Sequence, residues 1–363
     1  MSLIIKMMAT LLAATVIWVT PAFAADTISE VRERVESFWA RKKSWDGPSA
    51  GPKASIDKTV ALLFANSAEA SQVVVGIEEA VATIGWDVRL FASTGSVATR
   101  ESALSQILEL KPDGIIIGGF DDSLESEGLT KAVEAGIPIV AWHSALLAEP
   151  DDDSGIFAHV ATDASIVASA AAQWAFVNGR GKPGVIIFSD STNPIASAKA
   201  DLIQVQIENL GATVLETVDI PLDDAPTQVR AQTPLLLEKH AEKWTYAIAV
   251  SDTYFDTIGY ALAAAGIKGS GFPQSVGAGS GAPSAYQRIR AGLYQAATVA
   301  KPLNLQGWQL VDELNRALNG VAPSGYQTTV HLVTADNIET DGGDLDQFDP
   351  DNGYREQYRK IWQ

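Results

Sequence analysis

Residues 59–93 read TVALLFANSAEASQVVVGIEEAVATIGWDVRLFAS. Residues 60–65 form a continuous apolar run, and a short polar loop follows over 66–70. Over 71–84 the apolar side chains Val74, Ile77, Val81 and Ile84 recur at helical spacing. Gly85 ends that segment, and a second apolar run covers 88–91. This pattern predicts a βαβ unit. A strand without polar alternation is buried on both faces, as strands of a parallel sheet are. The loop behind such a strand lies at the carboxyl edge of the sheet, where open α/β folds bind ligands. Asn66, Ser67 and Glu69 are therefore the first candidate ligand contacts.

Toward the N-terminus, residues 1–24 have the make-up of a secretory signal: Lys6 as the only charge, an apolar stretch over 7–19, and Ala22-Phe23-Ala24 as a cleavage site. The apolar stretch is short for a membrane span. Cleavage after Ala24 would leave a protein of the periplasm. Residues 25–54 follow. Thr27 and Glu30 are spaced as a capping box, and Val31, Val35, Phe38 and Trp39 make a helical stripe. Loop chemistry follows at Trp45-Asp46-Gly47-Pro48 and Gly51-Pro52. The expectation is a short helix and a strap packed on the first domain.

The chain of 363 residues has room for roughly two domains of ~150 residues. Its formal net charge is −18, and loss of Lys6 with the signal makes it one unit more negative. Such a charge argues against binding nucleic acid or an anionic membrane. It also disfavours a highly anionic ligand, unless a local basic pocket overrides the average. With no cysteine there is no disulfide, thiolate nucleophile or thiolate metal site.

Toward the C-terminus the alternation continues. Helices are expected over 100–110 and 124–135, and strands over 114–117, 137–142 and 157–161, with an acidic surface turn at 151–155. A second series has helices over 163–178, 194–210, 227–240 (kinked or split at Pro234), 252–265 and 282–290. Its strands lie over 185–188, 213–218, 246–250, 275–277 and 296–300. A helix over 305–318 and a strand over 328–333 complete the pattern. The stretch 341–353 reads as a loose acidic tail, and Tyr354, Tyr358, Ile361 and Trp362 as a docking terminal helix. The fold class is α/β, with two doubly wound, Rossmann-like domains facing each other across a ligand cleft.

The motifs TVALLFANSA, KPDGIIIGG, AGIPIVAWHS, HVATD, GVIIFSD, AIAVSDTYFDTIGYALAAAGI, VGAGSGAPSAYQRI and YQAATVAKPL occur in that order. As an ordered set they resemble the periplasmic sugar-binding proteins of ABC transporters, of the ribose-binding-protein-like type I class. The resemblance covers about residues 57–333. It implies a three-strand hinge, with crossings near 161–163, 300–302 and 333. The N-terminal lobe would be 55–161 plus 301–333 and the C-terminal lobe 162–300, with 334–363 as tail and terminal helix. It also implies no cofactor, no metal and no catalysis.

By the same resemblance, the family's ligand Asn falls on Asn66, and its charged pair after the fourth strand on His143 and Ser144. Its Asn-Asp pair falls on Ser251 and Asp252, the Asp of a later turn on Gly279, and the hinge Gln near Lys301. The Arg of the second domain's first ligand helix falls near Ser197 or Lys199. Several carboxylate and guanidinium positions are thus lost, which points from ribose toward a smaller or differently functionalised sugar or polyol.

Each candidate also has a structural role open to it. Asp163 stands at the first crossing. Asp190 and Asn193 flank a helix start and could cap it. Lys199 reaches toward the cleft or solvent. Asp252 could cap its helix and still bind ligand. Tyr254 could stack on ligand or pack in the core, and Trp142 and His143 alternate, so one of them faces the cleft. Gly277 to Ala282 spells G-x-G-x-x-A, with Ser280 inside it, but no acidic residue ends the next strand to hold a ribose, which argues against a dinucleotide. The segment AGSGA lacks the first glycine of a nucleophile elbow.

The expected function is capture of a sugar or polyol by a monomeric, secreted binding protein and its delivery to an ABC permease. The alternative is a periplasmic sensor subunit for a membrane histidine kinase or chemoreceptor, with a secreted α/β enzyme as a third reading.

Overall fold

The computed structural model describes residues 27–94, 96–119, 126–143 and 155–363. The signal segment, Ser144 and most of the acidic turn at 151–155 lie outside the described residues.

The chain begins with α1 (Ile28–Trp39), then β1 (Thr59–Ala65), α2 (Ala68–Ile84), β2 (Asp87–Ser93), α3 (Val97–Leu110), β3 (Gly114–Gly118), α4 (Glu127–Glu134), β4 (Ile139–Trp142) and β5 (Ala158–Val160). The five strands form one parallel sheet in the order β2-β1-β3-β4-β5. The lack of polar alternation in β1 has a direct cause. Val60, Leu62 and Phe64 pack against α2, while Ala61 and Leu63 pack on the other face against Ala103, Leu104 and Ile107 of α3. α2 starts three residues earlier than its periodicity implies, because Ser67 caps it by accepting from the Ala70 N–H. Gly85 ends it in the left-handed conformation.

The second series is α5 (Ala164–Asn178), β6 (Gly184–Ser189), α6 (Pro194–Asn209), β7 (Thr213–Asp219), α7 (Ala225–His240), β8 (Tyr246–Ala249), α8 (Phe255–Ala264), β9 (Gln274–Gly277), α9 (Pro283–Arg290) and β10 (Gln295–Ala300). α10 (Leu303–Leu318), β11 (His331–Thr334), α11 (Ile338–Asp341) and α12 (Tyr354–Trp362) complete the chain. α7 runs through Pro234 without a break, since the helix tolerates one missing N–H once its flanks are packed.

Three expectations are corrected. The last strand, expected with the first lobe, joins the second sheet. β11 pairs antiparallel with β10, giving the order β11-β10-β9-β8-β6-β7. A strand of four residues with only Leu332 and Val333 apolar fits the edge of either sheet, and only the path of the connection after α10 decides. α1 also belongs to the second lobe, where Val31 and Val35 are buried beside α5. The strap does pack on the first lobe: the Ala54 N–H donates to the Trp362 carbonyl, Ser55 N–H to Asn315, and Trp45 packs on Tyr326 and Tyr358. Finally, the tail is packed. Phe348 stacks on His331, Asp341 is buried against His331 and Arg41, and Trp362 stacks on Trp308 at 5.5 Å. Both terminal segments therefore touch both lobes.

In the first lobe α2 packs closely against α10. Glycines make the approach possible: a Cβ at Gly307 would lie 2.6 Å from the Ile77 nitrogen and the Val73 oxygen. Among the described residues no helix is long and apolar enough to cross a membrane.

Candidate functional site at the hinge

The chain passes from the first sheet to the second after β5, returns after β10 to α10, and passes back along 319–330 to β11. Gln306 of α10 ties the crossings together. Its amide donates to the Thr162 hydroxyl at 3.0 Å and the Thr328 hydroxyl at 2.9 Å, and its carbonyl accepts from the Trp142 indole N–H at 2.8 Å. All four residues are buried. Trp142 is thereby a core residue, its ring against Phe64. The strand's next residue, His143, faces the cleft.

There the lobes meet over a cavity of about 10 Å³, lined by His143, Thr162, Ala164, Val167, Ile195, Lys199 and Lys301. That is room for about one water, so the cleft is shut on its own side chains. His143 comes from the carboxyl end of β4, Lys199 from α6, and Thr162 and Lys301 from two crossings. Lys199 is 7% exposed and Lys301 is 2%. The Lys199 ammonium donates to the Val250 carbonyl at 2.7 Å, and the Lys301 ammonium meets His143 Nε2.

Burial is the largest influence on all three groups. It lowers Lys199 to about 8 and, with the Lys199 charge beside it, Lys301 to about 7. It holds His143 well below the ordinary imidazole value, helped by the charges of Lys301 and Lys199. A neutral His143 has a lone pair on Nε2 to accept from Lys301. The charges of Glu69 and Asp252 act the other way on both lysines.

Asp252 is fully buried and its carboxylate is already occupied. It accepts from Gln295 at 2.7 Å, from Thr298 at 2.9 and 3.1 Å, and from the N–H groups of Gly281 and Ala282. The glycines of the G-x-G-x-x-A stretch exist for this group. A Cβ at Gly277 would fall 1.8 Å from Asp252 Oδ1, and one at Gly279 3.0 Å from Oδ2.

The other candidates are distributed as follows. Asn66 is exposed behind β1, and Ser67 and Glu69 lie in the capped start of α2, Glu69 half-buried. Asp163 caps α5 through the Ser165 N–H, and Asn193 caps α6 through Ile195 and Ala196. Asp190 is buried and accepts from Thr192 and from the Leu222 N–H. Ser251 caps the turn before α8, and Ser280 is buried beside it in the fold, its carbonyl accepting from the Lys301 N–H. The Tyr254 hydroxyl donates to the Ile220 carbonyl, its ring stacks on Phe188, and burial raises its pKa. The structure thus brings together His143, Lys199 and Lys301, and adds Thr162 and Ile195, which carry no sequence signal of their own. A second, larger cavity of about 330 Å³ lies between the terminal segments and the hinge, away from the lysines.

Residues 60–322 match the family of periplasmic binding protein domains. No curated protein matches the chain by sequence. Solved structures do match by fold. A solute-binding protein of an ABC transporter from Agrobacterium vitis, bound with alpha-D-tagatopyranose, is 18% identical with a TM-score of 0.69, over 80% of this chain and 99% of that one. One from Bacillus halodurans with bound myo-inositol is 17% identical at 0.66, over 78% and 97%. A periplasmic ribose ABC transporter protein from Conexibacter woesei is 20% identical at 0.65, over 81% and 96%. With two doubly wound lobes, three crossings and a match over most of its length, the chain belongs to the periplasmic binding protein domain family, of the type I fold, a family of binding proteins and not of enzymes.

Proposed function

We propose that the chain is exported, loses residues 1–24, and works in the periplasm as a monomer that captures a sugar or polyol and delivers it to an ABC permease. One observation carries this reading. Polar side chains of both lobes and of two crossings converge on a single buried pocket, whose volume depends on how far the lobes stand apart. The three crossings act as a hinge, and closure around a dehydrated ligand makes the bound form distinct from the empty one. The ligands bound in the structural neighbours, tagatopyranose and myo-inositol among them, support a polyhydroxylated solute.

The test is a thermal-shift screen of the secreted chain against neutral and acidic sugars and polyols, with amino acids as controls. A ligand at 100 times its Kd stabilises by about 2.7 kcal/mol, which raises Tm by roughly 4 °C for a chain of this length. No shift with any polyhydroxylated compound would refute the reading.

A further inference from the structure

We infer that the solute is an anion: a polyol bearing a carboxylate or a phosphate ester, its charge held between Lys199 and Lys301. This rests on the proposed polyol-binding function and narrows it.

Two ammonium groups line one small cavity, and both are almost wholly removed from water. Among the described residues neither forms an ion pair with a carboxylate. Each has one strong partner and it is neutral: the Val250 carbonyl for Lys199 and the His143 imidazole for Lys301. An ammonium carries three donors, so both retain hydrogen-bonding capacity toward the cavity. Buried like charges are costly unless an opposite charge meets them.

The acids nearby do not fill that role. Asp252 has both oxygens occupied by Gln295, Thr298 and two backbone N–H groups. Asp163 is engaged in capping α5. Glu69 is half-buried at the start of α2 and has no direct bond to either lysine. A neutral sugar would leave both cations facing hydroxyls, and an anionic one would compensate them directly. The acidity of the whole chain does not oppose this, because binding responds to the local field of the pocket.

The anion also changes the protonation of the site. In the empty cleft burial depresses both lysines. A bound anion restores their charged forms, so binding takes up protons above about pH 7 and weakens as pH rises. His143, held well below the ordinary imidazole value by burial and the lysine charges, stays neutral beside Lys301.

The experiment is titration calorimetry of the full secreted chain at pH 6.5 and pH 9 with D-gluconate, D-galacturonate and ribose 5-phosphate, each beside its neutral counterpart, D-glucitol, D-galactose and ribose. The expected result is a preference of at least about tenfold for one of the acids, weakening at the higher pH, and lost by about tenfold or more in Lys199→Met or Lys301→Met. The carboxylate and phosphate arms distinguish the two forms of the anion. Should either variant fail to fold, proton uptake by the unmodified protein, read from the dependence of heat on buffer, replaces it. Tighter binding of a neutral member would overturn the anion and leave the polyol reading standing. Binding of none of the six would overturn both.

Discussion

Asp252→Ala separates a structural carboxylate from a ligand-binding one. In the native state the carboxylate accepts from Gln295, Thr298 and the N–H groups of Gly281 and Ala282, at zero exposure. Gln295 keeps a second bond to the Ala297 carbonyl at 3.2 Å, and the Thr298 hydroxyl can rotate. The two backbone donors have no such escape. An orphaned buried donor costs about 1–3 kcal/mol, so the substitution should destabilise by about 3–5 kcal/mol in all. At roughly 1–2 °C per kcal/mol for a chain of this length, Tm should fall by roughly 5 °C. Asp252→Asn keeps one acceptor oxygen and should cost less. The assay is thermal and urea unfolding of the ligand-free protein followed by circular dichroism. If Asp252→Ala unfolds within about 1 kcal/mol of the parent, the carboxylate is not a structural anchor and the reasoning fails.

Three further outcomes follow from the same contacts. Lys199 and Lys301 titrate near 8 and 7 in the fold, against about 10.4 when exposed. The unfolded chain therefore binds more protons between about pH 7 and pH 10, and ligand-free stability should rise with pH across that window. Urea midpoints at several pH values check this, and a flat or falling curve would contradict it; Lys301→Met should flatten the lower part of the rise. Trp362→Ala removes the ring stacked on Trp308 and the indole bond to the buried Asp312, and should cost about 3–5 kcal/mol in denaturant unfolding. Gly307→Ala inserts a methyl against the backbone of α2 and should cost about 1–3 kcal/mol, with unchanged stability counting against the tight α2–α10 approach.

The βαβ alternation, the helix-ending glycines and the buried parallel strands were legible in the sequence because they rest on local periodicity and capping. The run from Val60 to Ala65 suited a strand covered on both faces, and Thr27 with Glu30 had the spacing of a capping box, whose hydrogen bonds the structure shows. The carboxyl-edge rule likewise pointed to Asn66, while His143, Lys199 and Lys301 came from the family resemblance. Non-local geometry decided the rest. Nothing in residues 331–334 says which sheet they join, because a four-residue strand of this make-up satisfies either edge. Nothing near Asp252 says that its oxygens are taken, since Gln295 and Thr298 lie more than forty residues on. The lysines are separated by a hundred positions in the chain, and each alone reads as a solvated side chain. Only the folding of two lobes about shared crossings puts both ammonium groups in one small cavity, and burial there, a property of the whole surrounding shell, sets their charge.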